Sequence, residues 1–365
     1  MLELSYPYDS HPKPGDSVEI APGVRWITMP MGGSLNHINL YLLEDSDGWF
    51  VVDTGLADPR TLEIWQDVFR TELGGKQVKG VFCTHMHPDH TGQARAITDQ
   101  FRCPLYMTQA EYFQARAFGG SGGSHHSSWL GELFYRRAGM PGEYMEQLAR
   151  MWAHRSSQSM SMGEMPSGFI RMQDGEEMRI GGRDWRVVVG SGHSPEHMSL
   201  YCHELGILIS GDQILPVITS NVSVHPTEPE ANPLRNWMES IDKFLRTPEE
   251  TLILPAHNLP FHGVRVRLRQ LMDHHEDRML AVEKACVEPQ VARDLLPVLF
   301  SRQLDARQTM MALGEAIAHL HLLMYRNRIA RSLHEDGRYR FTSIDPNLSR
   351  RMHPLEAPSE RPELV

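Results

Sequence analysis

The chain has 365 residues, 41% hydrophobic and 22% charged, with a formal charge of -10. That length exceeds one ordinary core and predicts a large domain with a smaller one, and the composition excludes the disordered and fibrous classes. The acidic balance repels nucleic acid and anionic membranes at long range, and no apolar run is long enough to span a bilayer.

Residues 1–7 lack a basic flank followed by an apolar run, so nothing points to export. Cys83, Cys103, Cys202 and Cys286 are widely spaced in mostly apolar surroundings, the pattern of reduced buried thiols. A cytoplasmic protein without membrane attachment is expected.

β-type segments occupy residues 24–29, 38–43 and 49–53, the last two separated by the turn-forming Glu44-Asp45-Ser46-Asp47-Gly48. Asp53-Thr54-Gly55 leads into a helix over residues 59–73, with proline in its first turn. A buried strand at 78–83 delivers a histidine run and precedes a helix starting near Thr91-Gly92. A strand at 104–107 and a helix from Gln109 continue the alternation. Residues 119–178 change to Gly/Ser-rich turns containing His125-His126, then two amphipathic helical stretches, the second with Tyr144, Leu148, Met151 and Trp152 at helical spacing. Eight of the 21 methionines lie between Met140 and Met178, so this insertion reads either as a lid over an apolar substrate or as a helical cap on the core.

Strand signals resume at 178–180, 185–189, 198–202 and 207–210, so the second half repeats the character of the first. That doubling predicts two sheets packed face to face with helices outside, a four-layer αβ/βα sandwich. After His262 the chain turns helical. A long amphipathic helix is expected from Ala306 to Tyr325, with Met310, Leu313, Ile317, Leu320 and Met324 on one stripe, then a hairpin turning at Glu335-Asp336-Gly337. The predicted organisation is a main domain at 1–278, a winged-helix domain at 279–345 and a disordered tail at 346–365.

The chemistry concentrates in Thr84-His85-Met86-His87-Pro88-Asp89-His90. Three imidazoles and a carboxylate at the end of an apolar strand suit zinc or another first-row metal, with iron and manganese as the alternatives. A strand end followed by a helix start points His85 and His87 one way and Asp89 and His90 another, an arrangement for two ions. His193, Asp212 and His257 are each the first ligand-type side chain after a later apolar strand, which argues that the strand ends converge on one site. His262 competes with His257 but lies further from its strand. His37 and His225 fall in loops expected around the metals and are candidate substrate contacts. Cys83 reads as core, and His274-His275 as structural residues on a helix leaving the site.

The run His85-x-His87-x-Asp89-His90, followed in order by His193, Asp212 and His257, closely resembles the metallo-β-lactamase superfamily over roughly residues 20–262. The resemblance implies that His85, His87 and His193 bind one metal, that Asp89, His90 and His257 bind the other, and that Asp212 bridges them. It also implies that Asp53 orients ligands without binding metal. The hairpin after the long helix and Asp273-His274-His275-Glu276-Asp277-Arg278 resemble the branch with a β-lactamase-associated winged helix. Pro255-Ala256-His257-Asn258 departs from that branch's usual Pro-Gly-His-Gly, and an altered local loop is expected there.

Two adjacent divalent metals lower the pKa of a water held between them and polarise the bond it attacks, with Asp89 and Asp212 as orienting catalytic carboxylates. The first functional expectation is hydrolysis of a small-molecule ester-type bond, a thioester (acyl-CoA or a glutathione conjugate) or a lactone. The second is a ribonuclease that holds single-stranded RNA with the winged helix, where Arg326, Arg328, Arg331, Arg338 and Arg340 cluster. The acidic charge and the lack of an aromatic RNA-binding motif favour the first. The wing then serves as one wall of the substrate pocket or as a surface for a second copy of the chain.

Overall fold

The computed structural model describes residues 3–33, 35–120, 129–147, 150 and 163–344. Leu148, Met151, Trp152, His125-His126 and the tail lie outside the described residues. The first sheet holds β1 (Ser17–Ala21), β2 (Val24–Pro30), β3 (His37–Glu44), β4 (Gly48–Val52), β5 (Gln77–Phe82), β6 (Leu105–Met107) and β7 (Ile170–Arg171), paired in sequential order. Its first four strands are antiparallel and its last four, from β4, are parallel. The second sheet contains β8 (Glu177–Ile180), β9 (Arg183–Gly190), β10 (His197–Cys202), β11 (Ile207–Gly211) and β12 (Leu252–Pro255), in the order β12-β11-β10-β9-β8.

Both faces of each sheet are covered, so the central strands are apolar on both sides instead of alternating with polar residues. Trp26, Tyr41, Phe50 and Phe82 of the first sheet meet Trp185, Leu200 and Ile209 of the second. On the outer face of the first sheet Ile27, Leu40 and Val51 pack with Trp65, Val68 and Ile97 of its helices. Val188, Tyr201 and Ile253 do the same against Trp237, Leu268 and Leu313. The result is the expected helix-sheet-sheet-helix layering.

Local starts agree with the sequence signals. Asp58 caps the helix Pro59–Thr71 by accepting from the Thr61 N–H, and Asp305 with Gln308 forms a capping box on Ala306–Tyr325. The strand β1 and the helix Pro233–Phe244, with Asn232 as cap and Pro233 in its first turn, are additional elements. The helix expected near Thr91-Gly92 is split into a single turn, Pro88–Thr91, and Ala94–Phe101. Gly92 joins the two where a side chain would strike backbone, its Cβ falling 2.3 Å from the Ala57 nitrogen.

The C-terminal helices do not form a separate core. The helix Val264–Ala285 runs unbroken through residues 278 and 279, and the hairpin of β13 (Ile329–Leu333) and β14 (Tyr339–Ser343) closes against it. Ala306–Tyr325 is buried all the way round from Ala312 to Leu323, where one apolar stripe was expected. It is enclosed by helices of the main sheet on one side and the hairpin on the other, so its polar residues are paired internally. Glu315 meets Arg278 at 2.7 Å, and His319 lies 3.2 Å from His275.

Burial pushes His319 down to about 4 from the ordinary imidazole value of 6.5, and lowers His275 well below it. Both are therefore neutral in the folded chain at neutral pH. Their depressed pKa values leave stability intact above pH 6.5 and withdraw it as pH falls towards 4, because the unfolded chain takes up protons first. We expect the urea stability of the wild type to drop by on the order of 3 kcal/mol more than that of His319→Gln across that window. Parallel losses in the two proteins would remove the histidine from this account.

Candidate metal centre

Strand exits position the cluster. β5 ends at Phe82, and the next residues, Cys83 to His87, cross the rim to the single helical turn of Pro88–Thr91, which turns Asp89 and His90 back over the sheet. β9 ends at Gly190 and His193 follows Gly192, where φ is +105° and an added Cβ would fall 2.3 Å from Trp237 Cβ, so a side chain is excluded. β11 delivers Asp212, and β12 delivers His257.

Two groups result. His85, His87, His193 and Asp212 offer ligand atoms all within 4.8 Å of one another, and Asp89, His90 and His257 form a second such group. Asp212 stands between them, with Oδ2 3.3 Å from His193 Nε2 and Oδ1 3.4 Å from His257 Nε2. In the first group His85 Nε2 faces His87 Nδ1 at 2.8 Å and His193 Nε2 at 3.2 Å.

The electrostatics divide along the same line. Burial holds His87 down at about 3 and His85 well below the ordinary value, helped by mutual repulsion with neighbouring histidines. Burial also disfavours charge on His90 and His257, but Asp53, Asp89 and Asp212 outweigh it at His90, and Asp212 and Asp89 outweigh it at His257, so both are raised. The same partners offset desolvation at the acids, holding Asp89 at about 2 and Asp212 well below the carboxylate range.

All seven strand-end residues therefore come together. Asp53 stands behind them with φ at +62°, Oδ1 accepting from the Thr84 N–H at 2.7 Å and Oδ2 2.8 Å from His90 Nδ1. His37 contributes its backbone carbonyl, 3.2 Å from His257 Nδ1, while its ring stacks on His11 at 3.9 Å. His225 is exposed, and desolvation by the surrounding protein together with His193 lowers its pKa. His262 is elsewhere, with Nδ1 3.3 Å from the Thr251 carbonyl. Cys83 is fully buried, as expected of core. At Pro255-Ala256-His257-Asn258, Ala256 avoids left-handed backbone and only Asn258, at φ +68°, adopts it, so alanine needs no special geometry there.

Three contributors escaped the sequence reading. Thr84 donates its hydroxyl to Asp53 Oδ2 at 2.9 Å. His197 Nε2 accepts from the Asp212 N–H at 3.0 Å, and its ring stacks with His85 at 4.8 Å. Glu111, buried on a neighbouring helix, accepts from the Met86 N–H at 2.9 Å and the Glu196 N–H at 2.7 Å, tying together the loops that carry His85–His87 and His193. Adjacency to the run was the available signal for Thr84, and the Ser-Pro-Glu-His sequence after His193 for His197. Glu111 offered none, because its partners are backbone groups distant in sequence.

The family model of the metallo-beta-lactamase superfamily matches residues 33–257. The chain belongs to that superfamily. A second model, the metallo-beta-lactamase-like C-terminal domain, matches residues 279–344 of this superfamily member. A beta-lactamase domain protein from Burkholderia ambifaria is 39% identical, covers 93% of this chain and 98% of its own, and superposes with a TM-score of 0.85. A probable metallo-hydrolase of Bacillus subtilis is 22% identical over 81% of this chain and 91% of itself. A human acyl-coenzyme A thioesterase is 25% identical over 53% of this chain and 64% of itself. As a superfamily member the chain is a metal-dependent hydrolase.

Removing Glu111 tests the two-loop tie. Glu111→Ala strands two buried N–H groups and should cost about 2–4 kcal/mol in urea unfolding. A loss under about 0.5 kcal/mol, the range of neutral surface changes, would show that the loops hold without it.

Proposed function

We propose that this protein is a dinuclear-metal hydrolase acting on a small-molecule ester-type bond, first a thioester and second a lactone. The observation that carries the dinuclear reading is the pair of ligand groups sharing Asp212. The donor set fits divalent ions: nitrogen and carboxylate oxygen without thiolate, zinc by default with iron or manganese acceptable. Imidazole nitrogens converging on one another at 2.8 and 3.2 Å are placed as donor atoms around a shared cation would be. His90 Nε2 and Asp212 Oδ1 are buried without a hydrogen-bond partner, as atoms reserved for an ion are.

His85, His87 and His193 would hold one ion, Asp89, His90 and His257 the other, with Asp212 bridging. Bound there, the ions would activate water and polarise the scissile carbonyl. Asp89 and Asp212 stay ionised and orient the attacking water by accepting its hydrogens at their carboxylate oxygens. Asp53 fixes His90 through Nδ1 and the His37 carbonyl fixes His257 through Nδ1, leaving each Nε2 free as a donor atom. His225, exposed and close enough to His193 to interact with it electrostatically, is placed to touch a substrate.

The thioester preference rests on the name of the human relative, the acidic chain and the methionine-rich insertion. Ribonuclease activity loses its support in the arginines. Arg326 pairs with Glu276, Arg328 with Glu283, Arg331 with Glu230, and Arg338 and Arg340 share Asp336, so four carboxylates offset most of the charge of the five arginines.

His87→Ala and Asp212→Ala should each lose metal by elemental analysis and lower kcat/KM by about a hundredfold or more, with the fold kept by circular dichroism. Full occupancy in both would sink the ligand assignment. Asp53→Asn should weaken metal binding roughly 10- to 100-fold in chelator competition, and unchanged binding would leave Asp53 without its orienting role. A metal-replete screen of acyl-CoA and glutathione thioesters, lactones, phosphodiesters and single-stranded RNA, with a chelated control, should give chelator-sensitive thioester or lactone cleavage. RNA cleavage alone would overturn the small-molecule reading.

A further inference from the structure

A cavity of about 70 Å³, with about 520 Å³ of space once its open mouth is included, is lined by none of the residues of the ligand cluster. It opens between the helix Trp129–Arg137, the loop at residues 229–230, the helix Ala306–Tyr325 and the β13–β14 hairpin. Leu133, Phe134, Ile317 and Phe341 make its walls apolar.

Its charge is unbalanced at one edge. The guanidinium groups of Arg137 and Arg331 both stack on Tyr339, at 5.0 and 4.4 Å from the ring centroid. Arg331 is satisfied by Glu230, whose two carboxylate oxygens accept from it at 3.1 and 2.8 Å. Arg137 is half-buried and, among the described residues, makes no hydrogen bond or ion pair. His321 in the wall adds no negative charge, since its Nδ1–H is given to the Ala231 carbonyl at 2.7 Å. Two cations thus face one carboxylate beside an apolar chamber, and among the described residues the Arg137 guanidinium has no counter-ion.

We propose that this cavity is a binding site for an amphipathic monoanion, a carboxylate with a hydrocarbon tail. The tail lies along Leu133, Phe134, Ile317 and Phe341, and the carboxylate pairs with Arg137. A cationic amphiphile is repelled by the arginine pair, and a neutral one leaves Arg137 unpaired. A phosphate group would call on further free donors, which Arg331 cannot supply while Glu230 holds it. This assignment stands independently of the bond hydrolysed at the ligand cluster.

The test is titration calorimetry of the full chain with decanoate, compared with decanol and decyltrimethylammonium, in the metal-loaded protein and again after chelation. Decanoate should bind in both states, at least about tenfold more tightly than either comparator, which is the contribution of one charge-assisted pair. Arg137→Gln should weaken decanoate by about tenfold and leave decanol unchanged. Leu133→Trp, which fills the chamber from its rim, should abolish binding, with near-ultraviolet circular dichroism confirming that both variants are folded. Decanoate binding that disappears with the metal would place the carboxylate at the ligand cluster instead and overturn the proposal. Equal affinity for decanol, no loss in Arg137→Gln, or no decanoate binding below millimolar concentration would overturn it as well.

Discussion

Seven ionisable side chains meet at one rim of the sandwich, and their crowding is tolerable only because two buried carboxylates pin the backbone and rings around them. Left to themselves, His85, His87 and His193 would repel one another if two of them carried a proton, and loops are free to relieve such repulsion by moving apart. Asp53 prevents this within the first sheet by binding both Thr84 and His90. Glu111 prevents it between the sheets by binding the backbone of the two loops that carry the first ligand group. The left-handed backbone at Asp53 is strain of the kind retained at functional sites, held here by that carboxylate's bonds.

The layering follows from the same need. Strand ends deliver side chains to a common rim only if both sheets are held face to face, and the apolar layer of Trp26, Phe82, Trp185 and Ile209 does that. The C-terminal helices then thicken the outer layer. Ala306–Tyr325 is embedded so completely that its carboxylate and two histidines must find partners inside the protein, and one consequence is a pair of imidazoles that stay neutral at the expense of acid stability. The arginines of the hairpin region follow the same logic of internal pairing, whereas the neighbouring Arg137 has no counter-ion among the described residues.

Most of the fold and nearly all of the ligand cluster could be read from the sequence, for a definite reason. Apolar runs ending in His, Asp or His-x-His-x-Asp-His mark strand exits, and ligand chemistry requires those residue types in that order, so local pattern and function coincide from His85 to His257. The proline in the first turn of the helix Pro59–Thr71 is likewise a local signal. Tertiary structure alone decided what depends on groups far apart in sequence: the role of Glu111, the contact of the His37 carbonyl with His257, and the pairing of the hairpin arginines. It also decided that the long helix is enclosed on every side, because amphipathic spacing records which face is most apolar and cannot record how many neighbours surround it.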